Sequence, residues 1–317
     1  MAAQVNEQKP SSEYGTLTVR MAVQLAGVHT WPAAIMPALV AFAAAAAKAD
    51  SVSVVMTCVL LVICVLMQSA VNTFNDYFDY VKGTDSADDN VEVTDATLVY
   101  NNVDPKSALK LAVGYLAAAF VLGIYVIVVA GWIPLVIAVI GAVVIVLYSA
   151  GKTPISYLPI GEVVSGFVMG GLIPLACYQA LSGSFSWLAL LWATPTMIGV
   201  ALILLTNNTC DIEKDIPAGR HTLSVLLGRA RAVTLYHVLV YLWVAAIVVL
   251  VFAFFTRGAL VLPFMLMAAY PQVRALLNNP ITPTSRIGAM TQICGVNVTL
   301  GVFYAASMLA STVALTL

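Results

Sequence analysis

The chain has 317 residues, of which 61% are hydrophobic and only 9% are charged, and its formal net charge is −1. This composition, with a mean hydropathy of +0.96, excludes an ordinary soluble globular protein. No basic cluster suggests nucleic-acid binding, and the five cysteines lack the CxxC spacing of a metal or redox site. The composition therefore predicts a polytopic protein in contact with the lipid bilayer.

Nine apolar runs follow a polar tail at residues 1–19, and each is long enough to cross a bilayer as a helix. The runs lack the alternation of membrane β-barrel strands. We therefore expect an all-α bundle of about nine transmembrane helices, with residues 20–317 as a single transmembrane domain. The predicted spans are 21–47, 51–72, 107–130, 132–148, 160–181, 187–206, 232–256, 258–277 and 289–312.

The basic residues indicate how the bundle is oriented. If the N-terminus is cytoplasmic, every Lys and Arg except Lys48 and Arg257 lies on the inner side, as the positive-inside rule requires. Every acid except Asp50 lies there too, although the rule does not sort acids. We expect a multi-pass protein of the cell (cytoplasmic, or inner) membrane, with its functional loops in the cytoplasm. The inner connections are 73–106, 149–159, 207–231 and 278–288.

The first long inner connection opens with "NTFNDYFDYVKGTD", which continues the second predicted span. At about 100° per residue, four of its side chains project within roughly a 100° arc, so their oxygens are expected to converge. These four residues are Asn72, Asn75, Asp76 and Asp79.

A second polar cluster follows the sixth predicted span, in "NNTCDIEKDIPAGRHTL". Asn207, Asp211 and Asp215 recur every four residues, so a continuing helix would turn them by only about 80° in total. The two clusters are therefore predicted to be equivalent half-sites.

Carboxylates four residues apart on a helix repel each other, so two such clusters require a compensating cation. Asp and Asn oxygens are hard ligands, and one or two carboxylates per ion suit Mg²⁺ bound together with substrate phosphate oxygens. Lys82, Lys152 and Arg220 would contact phosphates that the metal leaves uncovered. An ion-coupled carrier is the alternative, but its acids are expected near mid-span, whereas these lie at helix ends.

Three stretches resemble the UbiA superfamily of intramembrane aromatic prenyltransferases: "NTFNDYFDYVKGTD", "YSAGKTPISYLPIGE" and "NNTCDIEKDIPAGRHTLSVLLG". They are most similar to the 1,4-dihydroxy-2-naphthoate branch of menaquinone biosynthesis, whose last pattern is N-N-x-x-D-x-x-x-D-x-x-x-G-[KR]-x-T-L. The haem-farnesylating and 4-hydroxybenzoate branches carry a Lys-Arg pair where this chain has "GKTP".

The resemblance implies helices around a central cavity, with a polar cytoplasmic cap. It also implies transfer of a polyprenyl group from its diphosphate to 1,4-dihydroxy-2-naphthoate, with loss of CO₂, giving demethylmenaquinone and diphosphate. Another aromatic acceptor, of the homogentisate or 4-hydroxybenzoate type, is the alternative. Two Mg²⁺ ions would bridge the diphosphate, with Asp85 either completing the first ligand set or capping its loop. The implied ligands are Asn72, Asp76 and Asp79 for one ion, and Asn207, Asp211 and Asp215 for the other.

Further roles follow from the same resemblance. Tyr148 and Lys152 match a Tyr-x-x-x-Lys element in which Lys meets diphosphate and Tyr lies near the allylic cation; the alternative is an interfacial Tyr and a snorkelling Lys. Glu162 is a base, a contact for the aromatic substrate or a charge that favours the helix dipole. Asn75 and Asn208 are expected to support the ligands by hydrogen bonds.

The first predicted span departs from the naphthoate pattern. Gly27 and Val28 stand in "GVHTWPAA" where relatives commonly carry Arg-Pro, so a cation expected to face the anionic substrates is missing. His29 or Arg20 is the candidate substitute. The sequence specifies no oligomeric state.

Overall fold

A computed structural model describes residues 14–82, 97–149 and 153–312, apart from the side chains of Lys82, Ile145 and Ser149. These ranges are helical, with one isolated β-bridge between Gly15 and Val103. Shorter turns accompany the helices at Val28–Thr30, Ile155–Tyr157, Thr256–Val261 and Pro283–Ser285. The helices are α1 (Val19–Leu25), α2 (Pro32–Lys48), α3 (Val54–Lys82), α4 (Thr97–Tyr100), α5 (Pro105–Ala130), α6 (Ile133–Ser149), α7 (Gly161–Phe167), α8 (Ile173–Ser182), α9 (Leu188–Trp192), α10 (Thr194–Cys210), α11 (Ile212–Asp215), α12 (Leu223–Leu227), α13 (Arg229–Phe254), α14 (Leu262–Leu277) and α15 (Arg286–Ala310).

The helices confirm an all-α protein with several membrane-crossing segments. Within the described ranges, six helices are long and apolar enough to cross a bilayer, or seven if α1 and α2 count as one broken span. The predicted spans at 132–148 and 187–206 are also helical, but α6 and α10 each have only 17 residues. The number nine and the polar cap therefore stay predictions.

The first predicted span is not one continuous helix. It is interrupted at Gly27, which has φ = 58°, and Pro32 begins α2. A left-handed φ is readily adopted by glycine, and proline is favoured at a helix start. The Trp31 indole N–H donates to the carbonyl of Ala26 and to Ser69, which fixes the interruption against α3.

The first of two compact units comprises the described residues of Met1–Trp31 and Val62–Leu122. Its small apolar core is supplemented by partly buried side chains that include Tyr77 and Tyr80. This core supports the polar half of α3. The fully buried members of the core are Leu25, Leu98, Val103 and Ala108.

The second unit comprises the described residues of Pro32–Leu61 and Gly123–Leu317. A π-helical segment, Val168–Leu172, joins α7 to α8 and packs directly on α10. A Cβ atom on Gly170 would lie 2.6 Å from the Met197 backbone nitrogen, so only glycine allows this approach. The Thr196 hydroxyl donates to the Gly170 carbonyl at 2.6 Å. The packing fixes α7 against α10, and these two helices carry polar residues of the predicted site.

Candidate functional site

The second polar cluster lies where α10 ends. Asn207 is in the last turn of α10, whereas Asp211 follows it with φ = −96° and ψ = 11° and separates α10 from α11. The prediction of one helix continuing through Asn207, Asp211 and Asp215 is wrong at Asp211. The cluster is a helix end with a short turn of helix behind it, which brings its oxygens within reach of other elements.

One of these elements contributes Arg286, the first residue of α15. Its Nη2 donates to Asn207 Oδ1 at 2.6 Å, and its Nε donates to Asp211 Oδ1 at 3.2 Å. Arg286 is only 7% exposed. Arg286 is not among the site residues predicted from the sequence, where it bears only on the orientation of the bundle. The only local signal was its position at the start of the last apolar run.

Asp215 lies at the end of α11 and is almost fully buried, at 1% exposure. Its carboxylate accepts a hydrogen bond from the Thr222 hydroxyl at 3.4 Å and pairs with Arg220 Nη1 at 3.5 Å. The Arg220 guanidinium lies 5.0 Å from the centre of the Tyr157 ring. Arg220, predicted to contact phosphate, is thus held beside a predicted metal ligand.

Burial raises the pKa of the Asp215 carboxyl to about 6, while the nearby Arg220 guanidinium acts in the opposite direction. The pKa of an aspartate in an unfolded chain is about 3.9. Because the folded pKa is the higher one, protonated Asp215 is favoured in the fold. The metal-free protein therefore loses stability from this group as pH rises through about 6.

We expect Asp215→Asn to be more stable than the wild type near pH 8 in the absence of metal, by up to about 3 kcal/mol. The gain should disappear near pH 4, where the wild-type carboxyl is also neutral. Apparent melting temperatures in detergent with EDTA measure the effect. Glu213→Gln, which removes an exposed carboxylate from the same helix, is the control. An equal gain at both pH values would contradict the raised pKa.

Glu162 and Asn208 are brought together by the packing of α7 on α10. Asn208 Nδ2 donates to Glu162 Oε1 at 2.8 Å, and Glu162 is 3% exposed. Its second oxygen, Oε2, is buried without a hydrogen-bond partner among the described residues. The Tyr148 hydroxyl lies at the start of α7, 3.5 Å from where a Cβ on Gly161 would be. The carboxylate thus has one oxygen fixed by Asn208 and one buried oxygen without a hydrogen-bond partner among the described residues.

A second arginine, Arg229, stabilises the end of α10 by hydrogen bonds. Arg229, the first residue of α13, donates from Nη2 to both carboxylate oxygens of Glu213, at 2.6 and 2.7 Å. Its Nη1 donates to the carbonyls of Thr209 and Ile281. These contacts tie the end of α10 to the segment that precedes α15, and so position Arg286.

The first polar cluster lies on α3 in the other unit. Asn72 Nδ2 donates to the Ala26 carbonyl at 2.8 Å and to Thr30 Oγ1 at 2.9 Å. A Cβ on Gly27 would lie 2.5 Å from Asn72 Nδ2, so a larger residue there would collide with a predicted ligand. Gly27, which stands where relatives commonly carry an arginine, therefore lies in close contact with Asn72 at the interruption between α1 and α2.

Asp76 has a structural partner that the sequence did not indicate. It is 5% exposed, and its carboxylate accepts hydrogen bonds from the backbone N–H groups of Thr97 at 2.7 Å and Leu98 at 3.3 Å. It therefore caps the start of α4. A carboxylate has about four lone-pair sites, so a capping role does not by itself exclude metal binding.

The remaining predicted site residues are less well defined by contacts. Asn75 and Asp79 are partly buried on α3, His29 is partly buried in the Val28–Thr30 turn, and Arg20 is exposed on α1. Lys82 is the last residue of α3, but its side chain is not among those described. Asp85 and Lys152 lie outside the described residues.

The residues of the second cluster fit a divalent cation in their chemistry. Asn207 and Asp211 already share one cation, the Arg286 guanidinium, so their oxygens are arranged for positive charge. The described ranges contain no group of three or more His, Cys, Asp or Glu that could hold a metal. A cation here would use amide oxygens as well, together with oxygens of a phosphorylated substrate.

Comparison with known proteins matches the chain to one family. A sequence model of the UbiA prenyltransferase family matches residues 34–293. The chain is 33% identical to a 1,4-dihydroxy-2-naphthoate octaprenyltransferase of Bacillus subtilis, over 71% of this chain and 73% of that protein. It is 32% identical to a protein of the same name from Mycobacterium tuberculosis, over 77% and 82% of the two chains.

The fold also has a solved counterpart. A UbiA homolog from Archaeoglobus fulgidus bound to DMAPP and Mg²⁺ superposes with a TM-score of 0.60 and 14% sequence identity, covering 91% of this chain and 99% of that one. At this identity the likeness shows the fold alone. The family match extends over most of the chain and includes the second polar cluster. The chain therefore belongs to the UbiA prenyltransferase family and is a multi-pass membrane enzyme.

Proposed function

We propose that the protein transfers a polyprenyl group from polyprenyl diphosphate to 1,4-dihydroxy-2-naphthoate, in the membrane of the cell. The observation that carries the proposal is the end of α10, where Asn207 and Asp211 share one cation and Asp215 lies buried beside Arg220. Relatives with the naphthoate substrate in their names support this choice of acceptor.

Two Mg²⁺ ions would be held by the two predicted ligand sets, Asn72, Asp76 and Asp79, and Asn207, Asp211 and Asp215. Bound there, Mg²⁺ would offset the negative charge that develops on departing diphosphate. Arg220 is held by Asp215 and Tyr157, and we propose that it contacts a phosphate. Lys82 and Lys152 are proposed to act in the same way, on the cytoplasmic side.

The reaction breaks the bond between the prenyl C1 and the diphosphate oxygen, which keeps the electron pair. The ring carbon that carries the carboxylate forms a bond to C1, and loss of CO₂ returns the electron pair to the ring. The product is a prenylated naphthohydroquinone, whose quinone form is demethylmenaquinone. The Tyr148 ring would lie near the allylic cation, where its face is favourable.

Glu162 is proposed to accept a proton from an acceptor hydroxyl through Oε2 as the ring attacks, and to return it to the same oxygen when CO₂ leaves. Asn208 fixes the other oxygen and so orients the carboxylate. The substitution Glu162→Gln would keep the hydrogen bond to Asn208 but remove the base.

The purified protein in detergent tests this function with Mg²⁺, a polyprenyl diphosphate and a panel of aromatic acceptors. We expect a prenylated product from dihydroxynaphthoate and none when EDTA removes the metal. If product formed only from homogentisate or 4-hydroxybenzoate, the prenyl-transfer reaction would be supported and the proposed acceptor, dihydroxynaphthoate, would be rejected. No product from any acceptor would reject the proposal.

A further inference from the structure

The Arg286 side chain is 9% exposed, and its contacts at the second cluster are with Asn207 and Asp211. An arginine is charged at every accessible pH, so a buried guanidinium needs an anionic partner. Asp211 supplies the charge, and the amide oxygen of Asn207 supplies a second acceptor. In the absence of metal, the guanidinium therefore holds these two oxygens together and stabilises their arrangement.

The same two oxygens belong to the ligand set proposed for one divalent cation. A dication and a guanidinium that approach the same oxygens repel each other strongly when both are shielded from water. The Asp211 carboxylate oxygen and the Asn207 amide oxygen cannot bind the guanidinium and the divalent cation equally well at the same time. The presence of Arg286 must therefore change the affinity of this cluster for metal.

We propose that Arg286 is a built-in competitor of the divalent cation at the second cluster. Its guanidinium holds Asn207 and Asp211 together in the metal-free protein and gives up at least one of them when the metal binds. The inference rests on the proposed function only in that the second cluster binds a metal. It assigns Arg286 two effects. The guanidinium positions the oxygens of Asn207 and Asp211 in the metal-free protein, and it lowers the affinity of the cluster for the metal.

If Arg286 had a purely structural role, its removal would change the metal affinity in the opposite direction. If the guanidinium only aligned the ligands, its removal would weaken metal binding, because Asn207 and Asp211 would lose their alignment. If it competes, its removal strengthens metal binding and destabilises the metal-free protein. The sign of the change in affinity separates the two.

The test uses the full-length protein in detergent, with Mn²⁺ alone as the probe and electron paramagnetic resonance as the readout. We expect Arg286→Gln to bind Mn²⁺ about tenfold more tightly at one site, since a like charge is removed from beside the ion. Arg286→Lys keeps the charge and is expected to stay within about threefold of the wild type. Arg274→Gln removes an exposed arginine from α14 and should leave the affinity unchanged.

Melting in EDTA gives a second, independent readout. Metal-free Arg286→Gln should melt at a lower temperature than the wild type, and saturating Mn²⁺ should remove most of that difference. Asp211→Asn should lose the affected Mn²⁺ site, which locates it at the second cluster.

Two results would overturn the inference. Equal or weaker Mn²⁺ binding by Arg286→Gln would do so while leaving the proposed function intact, provided that Asp211→Asn loses the site. A wild-type protein that binds no Mn²⁺ would also reject it, and the prenyl-transfer assay then decides separately whether the proposed function stands.

Discussion

Asp211→Asn is expected to lower the rate of prenyl transfer, per folded protein, by at least about 100-fold. The asparagine keeps the size of the side chain and one oxygen, but it removes the negative charge that would bind a divalent cation. It also removes the anionic partner of the buried Arg286, whose Nε donates to Asp211 Oδ1 in the wild type, so the variant should melt at a lower temperature. Product formation per milligram of folded enzyme, measured over a range of Mg²⁺ concentrations, gives the effect.

Glu213→Gln is the matched control for this substitution. It removes the same charge two residues away, but Glu213 is 62% exposed and its partner is Arg229. An exposed ion pair contributes little, so its activity should stay within about twofold of the wild type. If both variants lost activity equally, the loss would reflect the net charge of the segment and not a specific site. An active Asp211→Asn would remove Asp211 from the proposed ligands.

Gly170→Ala is expected to destabilise the protein by about 2–3 kcal/mol. The new Cβ would lie 2.6 Å from the Met197 backbone nitrogen and 2.6 Å from the Thr196 carbonyl oxygen, both backbone atoms that move only with α10. Separating α7 and α8 from α10 would also disturb the hydrogen bond between Asn208 and Glu162. Activity should therefore fall together with the apparent melting temperature.

Gly114→Ala on α5 is the control, because a Cβ there meets nothing within 4 Å. Alanine is favoured over glycine inside a helix, so this variant is expected to be as stable as the wild type or more stable by up to about 1 kcal/mol. Both variants are compared at one heating rate, since membrane proteins often unfold irreversibly. If Gly170→Ala and Gly114→Ala melt at the same temperature, the close approach of the π-helical segment to α10 does not constrain the fold.

Hydropathy predicted the helical regions well, because a run of apolar residues long enough to span a bilayer has few alternatives to a helix. Most residues of the nine predicted runs are helical in the described part of the chain, although the first run is interrupted at Gly27, and nine spans stay a prediction. The break at Gly27 and Pro32 was readable from residue types but was not predicted. The π-helical segment was not readable, since it depends on the fit of Gly170 against α10.

The residues of the two polar clusters are readable from the sequence, because acids are rare in this chain and recur at a regular spacing, and their role as ligands stays a prediction. Their hydrogen-bond partners are not readable in this way. Arg286 is 75 residues from Asp211, and Thr97 is 21 residues from Asp76, so no local pattern relates either pair. The assumption of a continuous helix also failed at Asp211, where the chain leaves α10. Tertiary contacts, which periodicity does not encode, decide these features.

The fate of the acceptor carboxylate tests the central claim most directly. Dihydroxynaphthoate labelled with ¹³C in its carboxyl group is incubated with the purified protein, Mg²⁺ and a polyprenyl diphosphate, and the product and released gas are analysed by mass spectrometry. We predict a prenylated naphthohydroquinone without the label, recovered as its quinone after oxidation by air, and ¹³CO₂ in equal amount. A prenylated product that retains the label, or no prenylated product from this acceptor, would contradict the account.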